Sequence, residues 1–400
     1  HDRLAEDGLR VLAVAFRPWN DKPATIELER DLVLVGLTGS MDPARPEVRA
    51  AIRTCQNAGI RAIMITGDHP LTAAQIAGQL GISSKEKLLT GPEIERLSVA
   101  ELEAAVDSVS VYARVSPEHK LKIVEALQNR GHLVAMTGDG VNDAPALKKS
   151  EIGVAMGITG TDVAKEAADI VLQDDNFATI VAAVEEGRTI YDNIRKFIKY
   201  TLTGNTGELW VILLVLLLQM PLPLEPLQIL WVNLIADGML ALALSVEPGE
   251  SNVMNRRPYK PRESIFARGV GIDIIWIGLF LGFILFGIAL SYDAEADLIL
   301  WRTMIFSTLA FSRIGLVLAL RSQRDSLFQI GLLSNKPLLG VVFLTFALQM
   351  LVLYVPFLQN FFGTTALSAA NLGICLGLSV LVFIVVEVQK LAQRWRHRRS

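Results

Sequence analysis

Three short polar motifs in the first half of the chain carry side chains suited to phosphate chemistry. They are Thr66–Asp68 (Thr-Gly-Asp), Lys120, and Thr137–Asp143 (Thr-Gly-Asp-Gly-Val-Asn-Asp). Each follows an apolar run that predicts a β-strand, and an open α/β sheet places its reactive groups just beyond its strands. Phosphoryl transfer requires oxygen ligands for Mg²⁺, a cation beside the moving phosphoryl group and donors to its oxygens. The three motifs together contain all of these groups.

The residue types predict how the motifs divide this work. Asp139 and Asp143 are four residues apart across a glycine turn and can share one magnesium ion. The Thr66 hydroxyl can donate to a phosphoryl oxygen, and the Lys120 ammonium group can neutralise its charge. Glycines such as Gly67 let the backbone approach a phosphate closely. A Thr-Gly-Asp turn or a helical lysine is a weak signal alone, so the prediction depends on the combination and its order.

The segments around the motifs alternate between strand and helix patterns, which predicts a parallel α/β sheet. Continuous apolar runs predict strands that are buried on both faces. The predicted strands are 10–16, 31–36, 60–65, 110–113, 132–136, 152–156 and 169–172. The predicted helices are 46–58, 69–80, 98–106, 117–129, 144–149 and 176–187, several with proline at the start and glycine just past the end.

From about residue 200 onward the chain becomes much more apolar. The 400 residues are 51% hydrophobic, with a mean hydropathy of +0.39, which is rare for a soluble protein. The net charge of -3 averages two unlike halves and excludes no class of function. A membrane-crossing helix needs about 20 apolar residues. Six segments qualify, at about 202–220, 227–246, 269–290, 302–320, 338–356 and 371–388.

The connections between these segments alternate in charge. The basic connections are 191–200, 251–268, 321–337 and 389–400, and the neutral or acidic ones are 221–226, 291–297 and 358–371. Cytoplasmic loops carry the excess of Lys and Arg. A multi-pass membrane protein is therefore predicted, with the α/β region and the C-terminus in the cytoplasm. The lipid bilayer is an expected partner, and nucleic acid is not.

Four oxygen-bearing side chains lie inside the first two predicted spans. Asn205 and Glu208 are three residues apart and Asn233 and Asp237 are four apart, so each pair shares a helix face. Ionisable groups are costly within a bilayer, and four such side chains suit a hard cation such as Ca²⁺. The alternative is hydrogen bonding between helices, which is common for Asn in membranes. Hydrogen bonding between helices is a less suitable explanation for two carboxylates at this depth.

The order of these motifs resembles the P-type ATPases, whose phosphorylation domain has the haloacid dehalogenase-like fold. The likeness rests on Thr66–Asp68, Lys120, Thr137–Asp143 and Gly160–Asp169, and it extends over essentially all 400 residues, including the helix count. It implies an α/β, Rossmannoid, partial phosphorylation domain followed by an all-α bundle of six transmembrane helices. The implied domains are the end of a nucleotide-binding domain (1–30), the phosphorylation domain (31–188) and the transmembrane domain (189–400).

The resemblance also implies roles for single residues. Asp139 would bind Mg²⁺, and Asn142 and Asp143 would order the phosphorylation site. Lys120 and Thr66 would contact the phosphoryl group.

Nucleotide contacts follow from the same likeness. Asp68, beside Gly67, would lie near the nucleotide and the hinge, and Lys120 would contact ATP. Arg10, in the sequence Gly-Leu-Arg-Val-Leu-Ala, resembles an arginine that contacts the ATP phosphates, although an arginine at a strand edge is ordinarily just solvated.

One family motif is missing. The phosphorylated aspartate of the family lies in Asp-Lys-Thr-Gly-Thr, a string that does not occur in this sequence. The chain also begins with His1, within a polar helical pattern, which predicts a fragment without the N-terminal domains and the first four membrane helices. The intact protein is expected to hydrolyse ATP, and this chain alone is expected to be inactive. Its sheet is expected to have an unpaired central edge.

The intramembrane sequences resemble the calcium-pump branch of the family more than the sodium/potassium branch. The implied cation ligands are Asn205, Glu208, Asn233 and Asp237. Two positions depart from the two-site calcium pumps: Ala236 replaces a threonine ligand, and the span 302–320 has Arg313 and no glutamate. Both departures affect the same one of the two family sites.

Arg313 requires a partner, because an arginine in mid-span costs about 2.5–3.5 kcal/mol. Glu208 is the first candidate partner and Asp237 the second. Our hypothesis is that Arg313 fills one cation site with a tethered positive charge, so that one divalent ion moves per ATP. The alternative is that Arg313 faces a water-filled groove.

Three functions remain open at this point. An ion-pumping ATPase is favoured, a membrane-tethered phosphatase does not explain the intramembrane carboxylates, and a non-catalytic remnant would explain the missing phosphoacceptor. Among pumped ions, Mn²⁺, Na⁺ and K⁺ remain beside Ca²⁺. Residues 189–200 run helically into the first span, which predicts a rigid link of about 14 Å from Lys199 to Glu208.

Overall fold

A computed structural model describes residues 4, 9–18, 30–40, 44–82 and 88–397. The chain divides into two compact units. The first extends to Glu185 and includes Met254–Pro258, and the second comprises Glu186–Val253 and the chain from Tyr259 onward. The three functional domains predicted from the sequence stay a prediction.

The first unit alternates strands and helices, as predicted. Its described strands are β1 (Arg10–Phe16), β2 (Val33–Ser40), β3 (Met64–Ile65), β4 (Leu88–Thr90), β5 (Val111–Ala113), β6 (Ala135–Gly138), β7 (Ile152–Met156) and β8 (Ile170–Leu172). Its described helices are α1 (Pro46–Asn57), α2 (Pro70–Leu80), α3 (Gly91–Arg96), α4 (Val99–Ala105), α5 (Pro117–Asn129), α6 (Ala144–Lys149) and α7 (Asp162–Ala167). The sequence patterns missed β4, α3 and α7, which are all short.

The strands form three separate sheets. β1 and β2 are antiparallel, whereas β3-β5-β4 and β6-β7-β8 are parallel sheets of three strands each. Among the described residues, β3 pairs only with β5, and β6 pairs only with β7. The strands that precede the two Thr-Gly-Asp motifs therefore both lie at sheet edges, as expected for a sheet with an unpaired central edge.

Burial separates the parallel sheets from the antiparallel pair. All three residues of β5 are buried, in agreement with the prediction from its apolar run. The same prediction is wrong for β2, where Leu34 and Val35 are each 64% exposed. A continuous apolar run indicates that both faces of a strand should be buried, but the burial depends on other elements that pack against those faces. No described element buries β2 in this way.

Helix α5 carries Lys120 and is fixed from three directions. Ile123 and Leu127 pack in the core beside β5, whereas Val124 packs with residues of β6 and β7. At its start, the backbone N–H of Ser116 donates to His119 Nδ1 at 3.0 Å in a capping box. This packing fixes the position of α5, the helix on which Lys120 lies.

The second unit is helical. Within the part of the chain that the structure describes, six helical segments are long and apolar enough to cross a membrane, which confirms the predicted number. Its helices are α8 (Phe177–Leu217, which begins in the first unit), α9 (Pro226–Leu230), α10 (Asp237–Ser245), α11 (Val270–Ser291), α12 (Leu298–Ala319), α13 (Leu327–Ile330), α14 (Lys336–Tyr354), α15 (Pro356–Phe362) and α16 (Ala369–His397). The six candidate spans are α8, α9 with α10, α11, α12, α14 and α16.

Two features of these helices bear on the intramembrane residues. The predicted helix 176–187 and the first predicted span are parts of the single 41-residue helix α8. A π-helical turn, Trp231–Ala236, joins α9 to α10 and ends directly before Asp237. Such turns often occur at functional sites because the extra residue changes the direction of nearby side chains.

Helix α12 lies in the middle of the bundle. In its most apolar window 78% of the residues are buried, against 22–44% for the other five spans. Trp301, Phe306 and Leu309 of α12 contribute to the main apolar cluster of this unit. Arg313 therefore lies on the most enclosed of the candidate spans.

Candidate functional site

The Thr66–Asp68 motif forms a loop directly after β3. The Thr66 hydroxyl donates to Asp68 Oδ2 at 2.9 Å, and the Asp68 N–H donates back to Thr66 Oγ1 at 3.1 Å. The backbone is tied to the segment after β5, because Arg114 N–H donates to the Asp68 carbonyl and Val115 N–H donates to the Thr66 carbonyl. A Cβ built on Gly67 would meet no atom within 4 Å, so this loop has an open face.

The Thr137–Asp143 motif folds around the Asp143 carboxylate. Asp143 is 6% exposed. Its Oδ2 accepts the backbone N–H groups of Asp139 at 3.3 Å and Gly140 at 3.2 Å. A Cβ built on Gly138 would lie 2.5 Å from the Asp143 Cβ. Only glycine therefore fits at position 138 while Asp143 keeps this position.

Lys120 joins helix α5 to this loop, because its ammonium group forms an ion pair with Asp143 Oδ1. Asp139 and Asn142 are exposed beside the pair. The described residues give Thr66 and Asp68 no hydrogen bond or ion pair to Lys120 or to the Thr137–Asp143 loop. The structure thus joins two of the three motifs directly.

The segment 157–161 is held by the Asp175 carboxylate and is joined to the Thr137–Asp143 loop by Thr161. Burial alone would raise the pKa of Asp175, but the N–H groups of Ile158 and Thr159 and the Thr159 hydroxyl donate to the carboxylate and lower its pKa to about 2. Nearby, Thr161 N–H donates to the Asp139 carbonyl at 2.8 Å. The sequence patterns did not single out Asp175, since its function depends on a turn that no local motif marks.

The Arg10 side chain lies outside the described part of the chain, so the predicted ATP contact of Arg10 stays a prediction. Within the described ranges, no three His, Cys, Asp or Glu side chains come together closely enough to hold a metal ion. The predicted Mg²⁺ ligands, Asp139 and Asp143, are adjacent through the backbone hydrogen bond described above.

The second group of candidate residues surrounds Arg313, whose side chain is 0% exposed. Arg313 Nη2 lies 3.5 Å from Glu208 Oε2, and Nε lies 3.3 Å from Asp237 Oδ1. Nη2 also donates to Asn205 Oδ1 at 3.4 Å. Both expected carboxylate partners of Arg313 are in fact beside it, and the alternative of an arginine facing a water-filled groove does not fit its complete burial.

These contacts are long, which distinguishes them from a tight ion pair. Arg313 Nε and Nη1, Glu208 Oε2 and Asp237 Oδ2 are buried and form no hydrogen bond with the described residues. Three of the side chains predicted as cation ligands, those of Asn205, Glu208 and Asp237, thus contact the Arg313 guanidinium. The fourth, Asn233, is exposed and lies in the π-helical turn directly before Asp237.

Two further residues of α8 shape this group, and the sequence patterns did not assign either to it. The Tyr200 hydroxyl donates to Asp237 Oδ1 at 2.9 Å, and Tyr200 is 0% exposed. A tyrosine near the end of a span ordinarily lies at the membrane interface, so only the structure identifies this role. A Cβ built on Gly204 would overlap the Arg313 guanidinium. Gly204 therefore provides the space that Arg313 occupies.

Models of known protein families match both halves of the chain. Residues 221–392 match a family model described as the C-terminus of cation-transporting ATPases. Residues 5–150 and 119–184 match models described as haloacid dehalogenase-like hydrolases. The predicted fold class, an α/β haloacid dehalogenase-like region followed by a six-helix bundle, is confirmed.

Three similar proteins carry names as calcium-transporting ATPases. The chain is 48% identical to a calcium-transporting ATPase of Bacillus subtilis (strain 168), over 94% of this chain and 43% of the relative. It is 41% identical to calcium-transporting ATPase 1 of Saccharomyces cerevisiae, over 98% of this chain and 42% of the relative. It is 42% identical to the human calcium-transporting ATPase type 2C member 1, over 99% of this chain and 42% of the relative.

The chain thus spans less than half the length of the curated relatives that it matches. Within that length the match covers the phosphate motifs, the six candidate spans and the polar group around Arg313. The chain belongs to the P-type cation-transporting ATPases, with a haloacid dehalogenase-like region followed by the C-terminal membrane region of the family.

Proposed function

We propose that this chain forms the second half of a pump that moves Ca²⁺ across a membrane at the expense of ATP, through an aspartyl-phosphate intermediate. The names of the relatives support the ion and the reaction. The observation that carries the proposal is the buried group of Glu208, Asp237 and Arg313 within the candidate spans. Paired carboxylates at that depth have no use in a membrane-tethered phosphatase.

In this proposal the phosphate motifs handle the phosphoryl group. Lys120 is held against Asp143 by the packing of α5, so its charge is fixed beside the Thr137–Asp143 loop. Thr66 contacts the phosphoryl group once its hydroxyl leaves Asp68, and Asn142 orders the site. When bound, Mg²⁺ would offset the negative charge of the phosphate oxygens.

Asp139 is the residue that we expect to hold Mg²⁺, together with Asp143. Asp139 is exposed at the open side of the loop, and carboxylate oxygens are the ligands that Mg²⁺ prefers. The acidic loop therefore fits the metal in its donor chemistry. Gly67 leaves the backbone open there, and Gly138 leaves room for the Asp143 side chain. Asp68 and Arg10 are expected to contact the nucleotide.

Ca²⁺ is the transported substrate, and its proposed ligands are Asn205, Glu208, Asn233 and Asp237. Arg313 occupies the space between the two carboxylates as a tethered positive charge. We expect one divalent ion to be moved per ATP, because the guanidinium takes the place of a second ion. Two calcium ions transported per ATP hydrolysed would contradict this stoichiometry.

Helix α8 is proposed to couple the two reactions. It is unbroken from Phe177 to Leu217 and carries Asn205 and Glu208. A helix transmits a tilt at one end to side chains further along, so ion affinity would depend on phosphorylation state. The charges of the connecting segments support a cytoplasmic position for the α/β region and the C-terminus.

The test is ATP hydrolysis by the purified full-length protein in lipid vesicles, titrated separately with Ca²⁺, Mn²⁺, Na⁺ and K⁺. We expect activation by Ca²⁺, an acid-stable phosphoenzyme and accumulation of Ca²⁺ in the vesicles. Hydrolysis that is independent of every ion would overturn the proposal in favour of a phosphatase. The absence of both hydrolysis and phosphoenzyme would favour a non-catalytic role.

A further inference from the structure

A second buried ion pair lies just beyond the ends of α10 and α12. The side chains of Arg321 and Glu247 are 0% and 2% exposed. Arg321 Nε lies 3.0 Å and 3.1 Å from the two Glu247 oxygens, and Nη2 lies 2.7 Å from Oε1. Unlike the long contacts of Arg313, these are well-formed, charge-assisted hydrogen bonds in a fork geometry.

The pair also holds the turn that leads into α14. Arg321 Nη1 donates to the carbonyls of Gly331 and Leu332, both at 3.2 Å, and Nη2 donates to Ser334 Oγ at 2.5 Å. All three nitrogens of the guanidinium are therefore used. On the other side, Asn335 Nδ2 donates to Glu247 Oε2 at 2.7 Å.

Helix α8 joins the same network through Asn193, which is 3% exposed. Asn193 Nδ2 donates to the carbonyl of Glu247 at 2.6 Å and to that of Ser245 at 3.2 Å. Lys196 Nζ donates to Asn193 Oδ1 at 3.3 Å and lies 3.5 Å from Glu250 Oε1. The network thus includes α8, at the helical turns that precede its membrane-spanning part.

The helices tied together here are the ones that carry the intramembrane group. Helix α8 contributes Asn193 and Glu208, and α12 with its following segment contributes Arg313 and Arg321. The third partner is α10, with Asp237 at its start and Glu247 just after its end. Along α12 the two arginines are separated by roughly 12 Å at 1.5 Å per residue.

We propose that Arg321, Glu247 and Asn193, together named the Arg321 clasp, are positioning residues that set the relative placement of α8, α10 and α12 and so the calcium affinity at Glu208 and Asp237. This inference rests on the proposed pump function. A movement of α8 reaches the other two helices through Asn193, because its amide binds the backbone that follows α10. The clasp touches neither the phosphate motifs nor the proposed ion ligands.

The first test is Asn193→Ala in the full-length pump, which removes the Asn193 hydrogen bonds to the backbone after α10 and leaves the Arg321–Glu247 pair and the Lys196–Glu250 contact intact. The readouts are the calcium concentration for half-maximal ATPase activity and the maximal rate at saturating calcium. We expect the half-activating concentration to shift by about fivefold or more, the lower range of typical coupling between sites, with a smaller change in the maximal rate.

A second variant removes the pair without leaving a buried charge alone. In Arg321→Met with Glu247→Leu, apolar side chains replace both partners, an exchange that folded proteins often tolerate. We expect a folded protein with the same direction of shift. The matched control is Arg302→Met, since Arg302 is on α12 as well and forms an ion pair with Glu225 near the other end of the helix. We expect no shift for this control.

The outcomes separate the clasp from the pump. Folded Asn193→Ala and double variants that activate at the calcium concentration of the unchanged protein would overturn the clasp and leave the pump intact. An equal shift in the Arg302→Met control would also overturn it, because the effect would not be specific to this end of α12. Absence of calcium activation in the unchanged protein would overturn the pump and the clasp together.

Discussion

At the scale of single residues, the unusual feature is an arginine enclosed by two carboxylates and a glycine. Arg313 contacts Glu208 and Asp237 at ion-pair distances without filling its hydrogen-bonding capacity. A buried charge with so few hydrogen bonds depends on the packing around it for its position, so it is sensitive to any change in the surrounding volume. The packing leaves no room for a side chain at Gly204, since a Cβ there would overlap the guanidinium.

We therefore expect Gly204→Ala to displace Arg313 and to destabilise the folded protein by about 1–3 kcal/mol, the usual cost of overpacking. The measurement is the thermal unfolding midpoint in detergent. Gly187→Ala is the matched control on the same helix, because a Cβ there would meet nothing within 4 Å. An unchanged midpoint for Gly204→Ala would contradict the tight fit of Arg313 against α8.

Arg313→Met tests the tethered charge itself. The substitution leaves two buried carboxylates without their cation, so we expect single-ion transport per ATP to be lost or altered. Calcium uptake and ATP hydrolysis are measured together in vesicles to give the ratio. Full retention of one calcium ion per ATP by the variant would refute the hypothesis. Arg302→Met serves as the control for losing an arginine from α12.

Asp175 gives a prediction about pH. Its pKa is about 2 in the folded chain, below the ordinary value of 3.8, because the carboxylate accepts several hydrogen bonds. Its stabilising effect is therefore present above about pH 4 and is lost as the pH falls towards 2. The protection factors of the Ile158 and Thr159 amides, which correct for the intrinsic pH dependence of hydrogen exchange, should be high at pH 5 and lower near pH 2.

Asp175→Asn should lower the protection of those two amides against hydrogen exchange at pH 5, and it should make that protection depend less on pH. Asp162→Asn, at an exposed position in α7, should leave both unchanged. Equal exchange in Asp175→Asn and the unchanged chain would show that the carboxylate does not hold the 157–161 segment.

At the scale of elements, α8 is the decisive one, because one helix of 41 residues carries Asn193, Tyr200, Gly204 and Glu208. Its polar residues make contacts at two levels along its length: Asn193 binds the backbone at Glu247, and Tyr200 and Glu208 contact Asp237 and Arg313. Continuity is what allows the two levels to move together, since a helix break would let each respond separately.

A pair of glycines at Phe197 and Ile198 should therefore uncouple transport from hydrolysis. Each glycine costs about 1 kcal/mol of helix stability relative to alanine, so the pair weakens this turn of the helix. We expect fewer calcium ions transported per ATP, measured in vesicles. An alanine pair at the same positions is the control, because it removes the same side chains and keeps the helix. Equal transport ratios for both pairs would refute the rigid link.

At the scale of the whole molecule, the chain covers less than half the length of its relatives and lacks Asp-Lys-Thr-Gly-Thr. We expect the 400-residue chain alone to hydrolyse no ATP and to form no phosphoenzyme, because no aspartate in that motif is present to accept the phosphoryl group. Acid-stable labelling with radioactive ATP checks this. Labelling of the isolated chain would show that another residue serves as nucleophile.

The sequence alone determined the family, the six spans and most strands of the α/β region. These features are local: a span needs only length and hydropathy, and the motif Thr137–Asp143 is recognisable within seven residues. The two carboxylate partners of Arg313 were also predictable, because a buried charge must be compensated by the few opposite charges at the same depth.

Only the tertiary structure decided which distant residues meet. Tyr200 reaches Asp237, Gly204 makes room for Arg313, and Arg321 binds Glu247, although each pair is separated by 37 residues or more. Such contacts depend on helix packing and rotation, which a one-dimensional pattern does not contain. The exposure of β2 also depends on packing. An apolar run indicates that a strand should be buried, and only the tertiary structure shows whether other elements bury it.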